Sequence, residues 1–325
     1  MALTSHSSYQ NASHRNGFRC ASHIRELAQH SQLLADWSLR YDQISQGRFE
    51  GNIKEAWIDD IQFHEEQLSQ AVFQSGKGRD ETLCLGVFNM LSAEARWMGK
   101  SLTLQDVTWS YNGGELMLQT PDRSSIQVLS IPLSLLPDIA NELPNAVYSV
   151  RDDALASRIR QQITATFNSI IDHPLQMASQ QARQHFKSDL RELVFAFFDV
   201  ANRQNATIRH SQQKAQRVVR SAQEALIENR SMPLTMDELC LMTHTSRRTL
   251  QNCFEVVTGQ SPAVFLKNMR LNGVKRTLVT SREPLNISDV ASQWGFWHLS
   301  QFTADYKRLF GELPSQTLKA IRRLN

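Results

Sequence analysis

The spacing of apolar positions changes period twice along the chain. Residues 1 to about 22 are rich in Ser, Asn and His with almost no recurring apolar position, the pattern of a disordered tail. From Ile24 to Ile44, Leu27, Leu33, Leu34, Trp37 and Tyr41 recur at helical spacing and predict an amphipathic helix. The period then drops to two. Trp57, Asp59, Ile61 and Phe63 stand at alternate positions within Ile53–Phe73, and short strand-like runs follow at Thr82–Phe88, Ser101–Leu104, Val107–Trp109, Glu115–Leu118 and Ser125–Ile131. YNGGEL, from Tyr111 to Leu116, predicts a hairpin turn. Many short strands at close spacing predict a small antiparallel β-barrel or sandwich with flanking helices over residues 23–150.

From Asp152 the helical period returns. Leu155, Ile159, Ile163, Phe167 and Ile170 share one stripe, and Phe186, Leu190, Leu193, Val194, Phe197 and Phe198 share another beyond a break at His173-Pro174. This predicts a helical hairpin over residues 151–204, its apolar face core against the β domain, a dimer seam, or both. A polar, non-periodic linker follows at residues 205–213. The α+β chain then ends in an all-α region over residues 214–325. There Thr235 and Ser246 cap two short helices separated by His244-Thr245, and Gly259 ends the second. Ser261-Pro262 opens a longer helix. The pattern then repeats: Asn286 caps ISDVASQW, Gly295 makes the turn, HLSQFTADYKRLF is the next helix, and Gly311 and Pro314 follow as Gly259 and Pro262 did. Two helix-turn-helix units, residues 236–257 and 287–310, are joined by one long helix, a far more specific signal than a single unit.

Composition narrows the field. The 325 residues are 41% hydrophobic and 21% charged, within the range of globular proteins, and the longest apolar runs fall well short of the ~20 residues of a membrane helix. The first twenty residues lack the basic start and apolar core of a secretory signal, and Cys20, Cys84, Cys240 and Cys253 form neither CxxC pairs nor zinc spacings, so a reducing cytoplasmic setting is expected. His6, His14, His23 and His30 fit no helix face, and no metal or cofactor is expected. The net charge of +3 hides a split: residues 212–325 hold 16 Lys and Arg against 9 Asp and Glu, whereas residues 1–211 hold 19 against 23. The basic part is the one suited to a polyanion.

Ala291, Gly295, Phe296, Ser300, Phe302, Tyr306, Lys307, Phe310, Gly311 and Pro314 carry a signature that resembles the DNA-binding domain of AraC/XylS transcription regulators. The first unit matches through Leu239, Ser246, Leu250, Phe254, Gly259 and Pro262, and the long helix through Phe265, Arg270, Leu271 and Leu278. The resemblance covers residues 217–325, about a third of the chain. SRRTLQNCF and QWGFWHLSQFTADYKRLF look most similar to the subgroup that regulates ethanolamine-utilisation operons, with a weaker echo in FEGNIKEAWIDDIQ; the similarity does not identify an effector.

The resemblance implies roles. Arg248, Gln251 and Asn252 lie at i, i+3 and i+4 opposite the Leu250/Phe254 stripe and correspond to base-reading positions; Arg suits guanine, and Gln or Asn suits adenine. Ser246 and Arg247 at the helix start suit phosphate. In the second unit Ser300, Gln301 and Thr303 are the base-facing candidates, with His298, Lys307 and Arg308 for phosphate. The polar groups there are short, so the two units are expected to be unequal: the first reads bases and the second mainly anchors backbone. The front domain is expected to dimerise and to bind a small effector, with Trp57, Phe63, Phe88, Trp97 and Trp109 as pocket candidates; control by dimerisation or a protein partner alone is the alternative. The implied partners are double-stranded promoter DNA, a second copy of the chain and RNA polymerase, and activation is the expected sign of regulation. An enzyme is not expected: there is no nucleotide-binding glycine loop, GxSxG elbow or candidate triad, and adjacent carboxylates such as Asp59/Asp60 and Glu65/Glu66 point to opposite faces of a strand.

Overall fold

The computed structural model describes residues 17–137, 149–172, 179–204, 210–281 and 283–321. Its front part comprises β1 (Gly17–Ile24), α1 (Leu27–Gln32), β2 (Ser38–Gln43), β3 (Gly51–Ile58), β4 (Ile61–Leu68), β5 (Val72–Lys77), β6 (Thr82–Leu91), β7 (Ala95–Trp97), β8 (Lys100–Leu102), β9 (Asp106–Tyr111), β10 (Glu115–Gln119), β11 (Ser124–Pro132) and β12 (Ser149–Arg151). Helices α2 (Asp153–Asp172), α3 (Gln180–Arg203) and α4 (His210–Glu228) follow. The second part continues with α5 (Met236–Met242), α6 (Arg247–Thr258), α7 (Pro262–Thr280), α8 (Ile287–Gln293), α9 (Leu299–Phe310) and α10 (Pro314–Ile321).

The strands form two antiparallel sheets, ordered β1-β3-β4-β11-β6-β9-β12 and β2-β5-β10-β7-β8. Tyr41 on the smaller sheet donates to Glu66 on the larger at 2.7 Å, so the sheets face each other as a sandwich. The order is that of two open sheets rather than of one closed barrel.

Three local expectations are corrected. Gly17–Ser22, expected in the tail, belong to β1, whose residues 17–21 pair with Trp57–Ile53 of β3; residues 1–16 lie outside the described residues. The helix expected over Ile24–Ile44 is only α1. Asp36 then takes a left-handed φ of 64°, and Ser38–Gln43 pair with Lys77–Val72. Leu39 and Tyr41 fit a strand as well as a helix, and the ladder with β5 decides between them. YNGGEL does turn, with Asn112 and Gly113 at φ 48° and 64°. The strands it joins do not pair with each other: β9 pairs with β6 and β12, and β10 with β5 and β7. The turn carries the chain from one sheet to the other.

The outer face of the large sheet is covered by helices. Leu155, Ile159 and Ile163 of α2 and Leu193, Val194 and Phe197 of α3 are buried in one cluster with Phe63, Leu85, Val87 and Trp109. Each such side chain removed from water contributes roughly 1.5–3 kcal/mol. The hairpin's apolar face is thus sheet core; the break expected at His173-Pro174 lies outside the described residues.

Candidate nucleic-acid interface

Local chemistry fixes the two units of the second part. Thr235 and Glu238 form a reciprocal capping box at the start of α5, and the Ser246 hydroxyl accepts from the Thr249 amide at the start of α6. Asn286 caps α8 through the Ser288 amide. Gly259 and Gly311 end α6 and α9 in matching left-handed conformations, φ 67° and 68°. Between the paired helices the backbone must pass through positive φ. Gly295 does so at 75° in the second unit, and His244 does so at 49° in the first. Leu239, Leu250, Phe254, Trp294, Phe302, Tyr306 and Phe310 are buried, and Phe296 packs against them half-buried. Tyr306 donates to or accepts from Thr317 at 2.9 Å, and burial pushes its hydroxyl far above its ordinary range. These side chains set the angle of each second helix.

The polar faces of α6 and α9 remain open. Arg248, Gln251 and Asn252 are exposed, as are Ser300 and Gln301. Thr303 is half-buried and its hydroxyl donates back to the Leu299 carbonyl at 2.8 Å, leaving mainly its methyl and a lone pair for a partner. Ser246, His298 and Lys307 are exposed. Two of the expected phosphate ligands are already paired. Arg247 makes a two-point contact with Asp237, Nε–Oδ1 2.9 Å and Nη2–Oδ2 2.8 Å, and this guanidinium holds the Asp237 carboxyl below its ordinary range. Arg308 reaches Asp305 at 3.2 Å. Trp297, 65% exposed beside His298, was not among the expected contacts. The signal was the Phe296-Trp297 pair itself, since two adjacent aromatics in a tight turn cannot both enter one core.

The front-domain candidates divide. Trp97 lines a cavity between the sheets; Trp109 borders it, but its ring packs on Phe197 and Phe198 of α3 at 6.1 and 6.3 Å. Trp57, Phe63 and Phe88 do not. Strand alternation turns His64 and Glu66 of β4 inward and Phe63 outward, where its ring meets Phe186 at 5.7 Å. Trp57 lies beneath the Arg79 guanidinium at 4.7 Å. Phe88 is core farther along β6. What the sequence did not disclose is the cavity's polar cluster. Glu66 accepts from His30 Nε2 at 2.9 Å, Tyr41 Oη at 2.7 Å and Gln74 Nε2 at 3.2 Å. These donors hold its carboxyl below the ordinary range although burial opposes them. Burial lowers the pKa of His64, leaving a neutral ring. The carboxylates do part as expected: Glu66 faces the cavity, and Glu65 accepts from Gln127 at 2.9 Å. Asp59 and Asp60 sit at positive φ in the β3–β4 turn, with Lys187 2.9 Å from Asp59.

Two capped helix pairs on one connecting helix, cores buried and polar faces open, define a double helix-turn-helix domain. Residues 239–320 match the family model described as Helix-turn-helix domain. The chain is 37% identical over 101 residues to the regulatory protein HrpB of Ralstonia nicotianae, covering 30% of this chain and 21% of that one. It is 32% identical over 109 residues to the XylDLEGF operon transcriptional activator of Pseudomonas putida, covering 33% of each. It is also 33% identical to a solved structure of a probable AraC family transcriptional regulator from Rhodopseudomonas palustris, covering 32% of this chain and 96% of that one, with a TM-score of 0.30. The C-terminal third of this chain is a DNA-binding domain of the AraC/XylS family. The chain spans about a fifth and a third of the length of these two curated relatives.

Proposed function

We propose that the chain is a sequence-specific transcription regulator that binds promoter DNA as a homodimer and activates transcription by engaging RNA polymerase. The observation that carries the reading is the pair of open recognition faces, Arg248/Gln251/Asn252 and Ser300/Gln301, above buried cores. Each subunit then presents two units to successive major grooves, about 34 Å apart. The activating sign follows the XylDLEGF activator's printed role. Genome-wide mapping of bound sites, followed by binding titrations at two salt concentrations, tests the proposal. A recurrent motif with half-sites about one DNA turn apart and a steep salt dependence is expected. Salt-steep binding without sequence preference would sink it.

The front domain is read as the effector-sensing and dimerising half. A cavity whose wall holds a buried donor unpartnered among the described residues, Trp97 Nε1, beside the likewise unpartnered His64 Nδ1 favours this over control by dimerisation alone. The cavity is also well placed to signal. Gln74, Leu116 and Leu118 of the smaller sheet line it. The neighbouring Phe73 and Met117 point the other way, into a cluster shared with α6 and α7, where the Phe73 and Phe265 rings lie 4.9 Å apart. One sheet thus has the cavity on one face and the DNA-binding domain on the other.

A further inference from the structure

We propose that the second recognition helix selects bases by the C5-methyl groups of thymine, through Leu299, Thr303 and Ala304; the inference deepens the regulator reading above and rests on it. The two units share one register. Gly259 and Gly311, Pro262 and Pro314, and the cap positions Ser246 and His298 stand at matching places, and α6 and α9 are each 12 residues long. In that register the buried Leu250 and Phe254 of α6 correspond to the buried Phe302 and Tyr306 of α9. The open Arg247, Arg248, Gln251 and Asn252 correspond to Leu299, Ser300, Thr303 and Ala304. Where one helix presents two guanidiniums and two amides, the other presents aliphatic carbon and hydroxyls.

This carbon is surface, not core. Leu299 is 45% exposed in the first turn of α9, Trp297 is 65% exposed two positions before it, and Ala304 is exposed further along the same side. Leu299, Thr303 and Ala304 follow at i, i+4 and i+5, one strip along the helix. The Thr303 hydroxyl is spent on the Leu299 carbonyl at 2.8 Å, so its methyl is the group left to meet a base. Ser300 adds a hydroxyl, which can donate or accept and so separates few bases. The cations of α9, Lys307 and Arg308, stand in its last turn, away from this strip's leading end. Thymine's methyl is the one apolar group that base edges present in the major groove. An aliphatic side chain otherwise left in water gains by burying against that methyl and finds no such partner on cytosine.

The test uses the full chain on duplexes carrying a mapped site, with base analogues placed in one half at a time. The half under α6 is the one in which Arg248→Ala relaxes selectivity. Deoxyuridine differs from thymidine only by the missing methyl. In the half under α9 that exchange is expected to weaken binding about threefold to fivefold for each methyl contacted. In the half under α6 it is expected to change binding by less than about twofold, because polar groups read there. Changing a contacted T·A pair to C·G and then restoring the methyl as 5-methylcytosine is expected to recover the same factor. Leu299→Ala, an exposed change that spares the fold, should erase most of the thymine–deoxyuridine difference and bind the deoxyuridine duplex within about twofold of the parent. Thr303→Val keeps a methyl and drops the hydroxyl, and should preserve the difference. A motif without thymine in the half under α9, a difference there below about twofold, or a difference that survives undiminished in Leu299→Ala or vanishes in Thr303→Val would overturn the proposal. If the duplexes are still distinguished by sequence in that case, the regulator reading stands. Salt-steep binding to all duplexes alike removes both.

Discussion

Arg248 is exposed and makes no ion pair among the described residues, whereas Arg247, one position earlier, is held by Asp237. The difference assigns them different work. A free guanidinium can reach guanine O6 and N7 together, which carries about 1–3 kcal/mol of discrimination. Arg248→Ala is therefore expected to relax selectivity at one base pair by that amount. Gln301→Ala, in a helix whose other polar groups are short, is expected to weaken binding with less change of selectivity. Footprinting of both variants on a panel of single-base operators measures this, and equal loss of selectivity would remove the distinction between the units. A second residue-level prediction concerns acid. Burial is the main cause lowering the pKa of His64, against the opposing fields of Glu66 and Glu55, with His30 adding to the lowering. A base with a depressed folded value contributes stability that is fully present above 6.5 and lost as pH falls through the depressed value. Glu66 adds a second loss of the same sign below 4.5. Glu26, raised mainly by burial, has the opposite sign, so total stability alone does not isolate His64. Urea unfolding at about pH 7.5 and about pH 5.5 should therefore show a loss in the parent chain that shrinks in His64→Phe. A parent and variant with the same loss would assign the acid sensitivity elsewhere.

Among the helices, α7 carries a tight constraint. Gly273 lies at its middle and is buried, and a Cβ there would overlap the six-membered ring of Trp294. Trp294 has little freedom to withdraw, being 7% exposed and donating to Thr277 at 3.3 Å. Two effects compete in Gly273→Ala. Helix propensity favours alanine by about 1 kcal/mol. Overpacking costs about 1–3 kcal/mol, and a fixed indole places the site toward the upper end. The expected outcome is a net loss of up to about 2 kcal/mol in denaturant unfolding, with weakened protection of the second half-site because α8 shifts against α7. A stabilised variant would show that the indole yields. The caps and turns of the neighbouring helices show why the C-terminal fold was legible in sequence. Thr235, Ser246, Gly259, Gly295 and Gly311 act through bonds to backbone a few residues away, so identity and spacing specify them. The front domain's strands were also legible, but not their partners. Ladder partners lie far along the chain, and the polar inward residues of β4, Gln62, His64 and Glu66, look like a solvent face while Phe63 looks like core. Both faces of that strand are buried, one by the cavity wall and one by helices. Alternation alone cannot choose between them.

Across the whole molecule, the DNA-binding domain is seated on the front domain through bonds that mimic a strand. The Asn272 side chain accepts from Gln43 N at 2.8 Å and donates to Gln43 O at 2.9 Å, completing the end of β2 as another strand would. Arg276 donates to Tyr41 O at 2.9 Å and to Asp42 at 3.0 Å. Gln43 Nε2 and Gly47 N both donate to Leu309 O, each at 2.9 Å, at the C-terminal end of α9. Near the matching end of α6, Gln260 donates to Ile44 O at 3.0 Å. The front domain therefore holds both recognition helices by their far ends and leaves their starts free. A single apolar cluster runs from Trp97 and Leu118 through Phe73 to Phe265 and Phe254. Units that share a core unfold together, so one calorimetric transition is expected for the intact chain. Asn272→Leu keeps the volume but leaves a buried donor and a buried acceptor of Gln43 unpaired, at about 1–3 kcal/mol each. That loss falls on the seam and spares both interiors. The variant is expected to resolve into two transitions, with the DNA-binding domain's own affinity for a single half-site unchanged. A single unshifted transition would mean that the apolar contact of Phe73 with Phe265 couples the domains without the polar seam. The path from cavity to recognition helix would then run through the side chains of the smaller sheet alone.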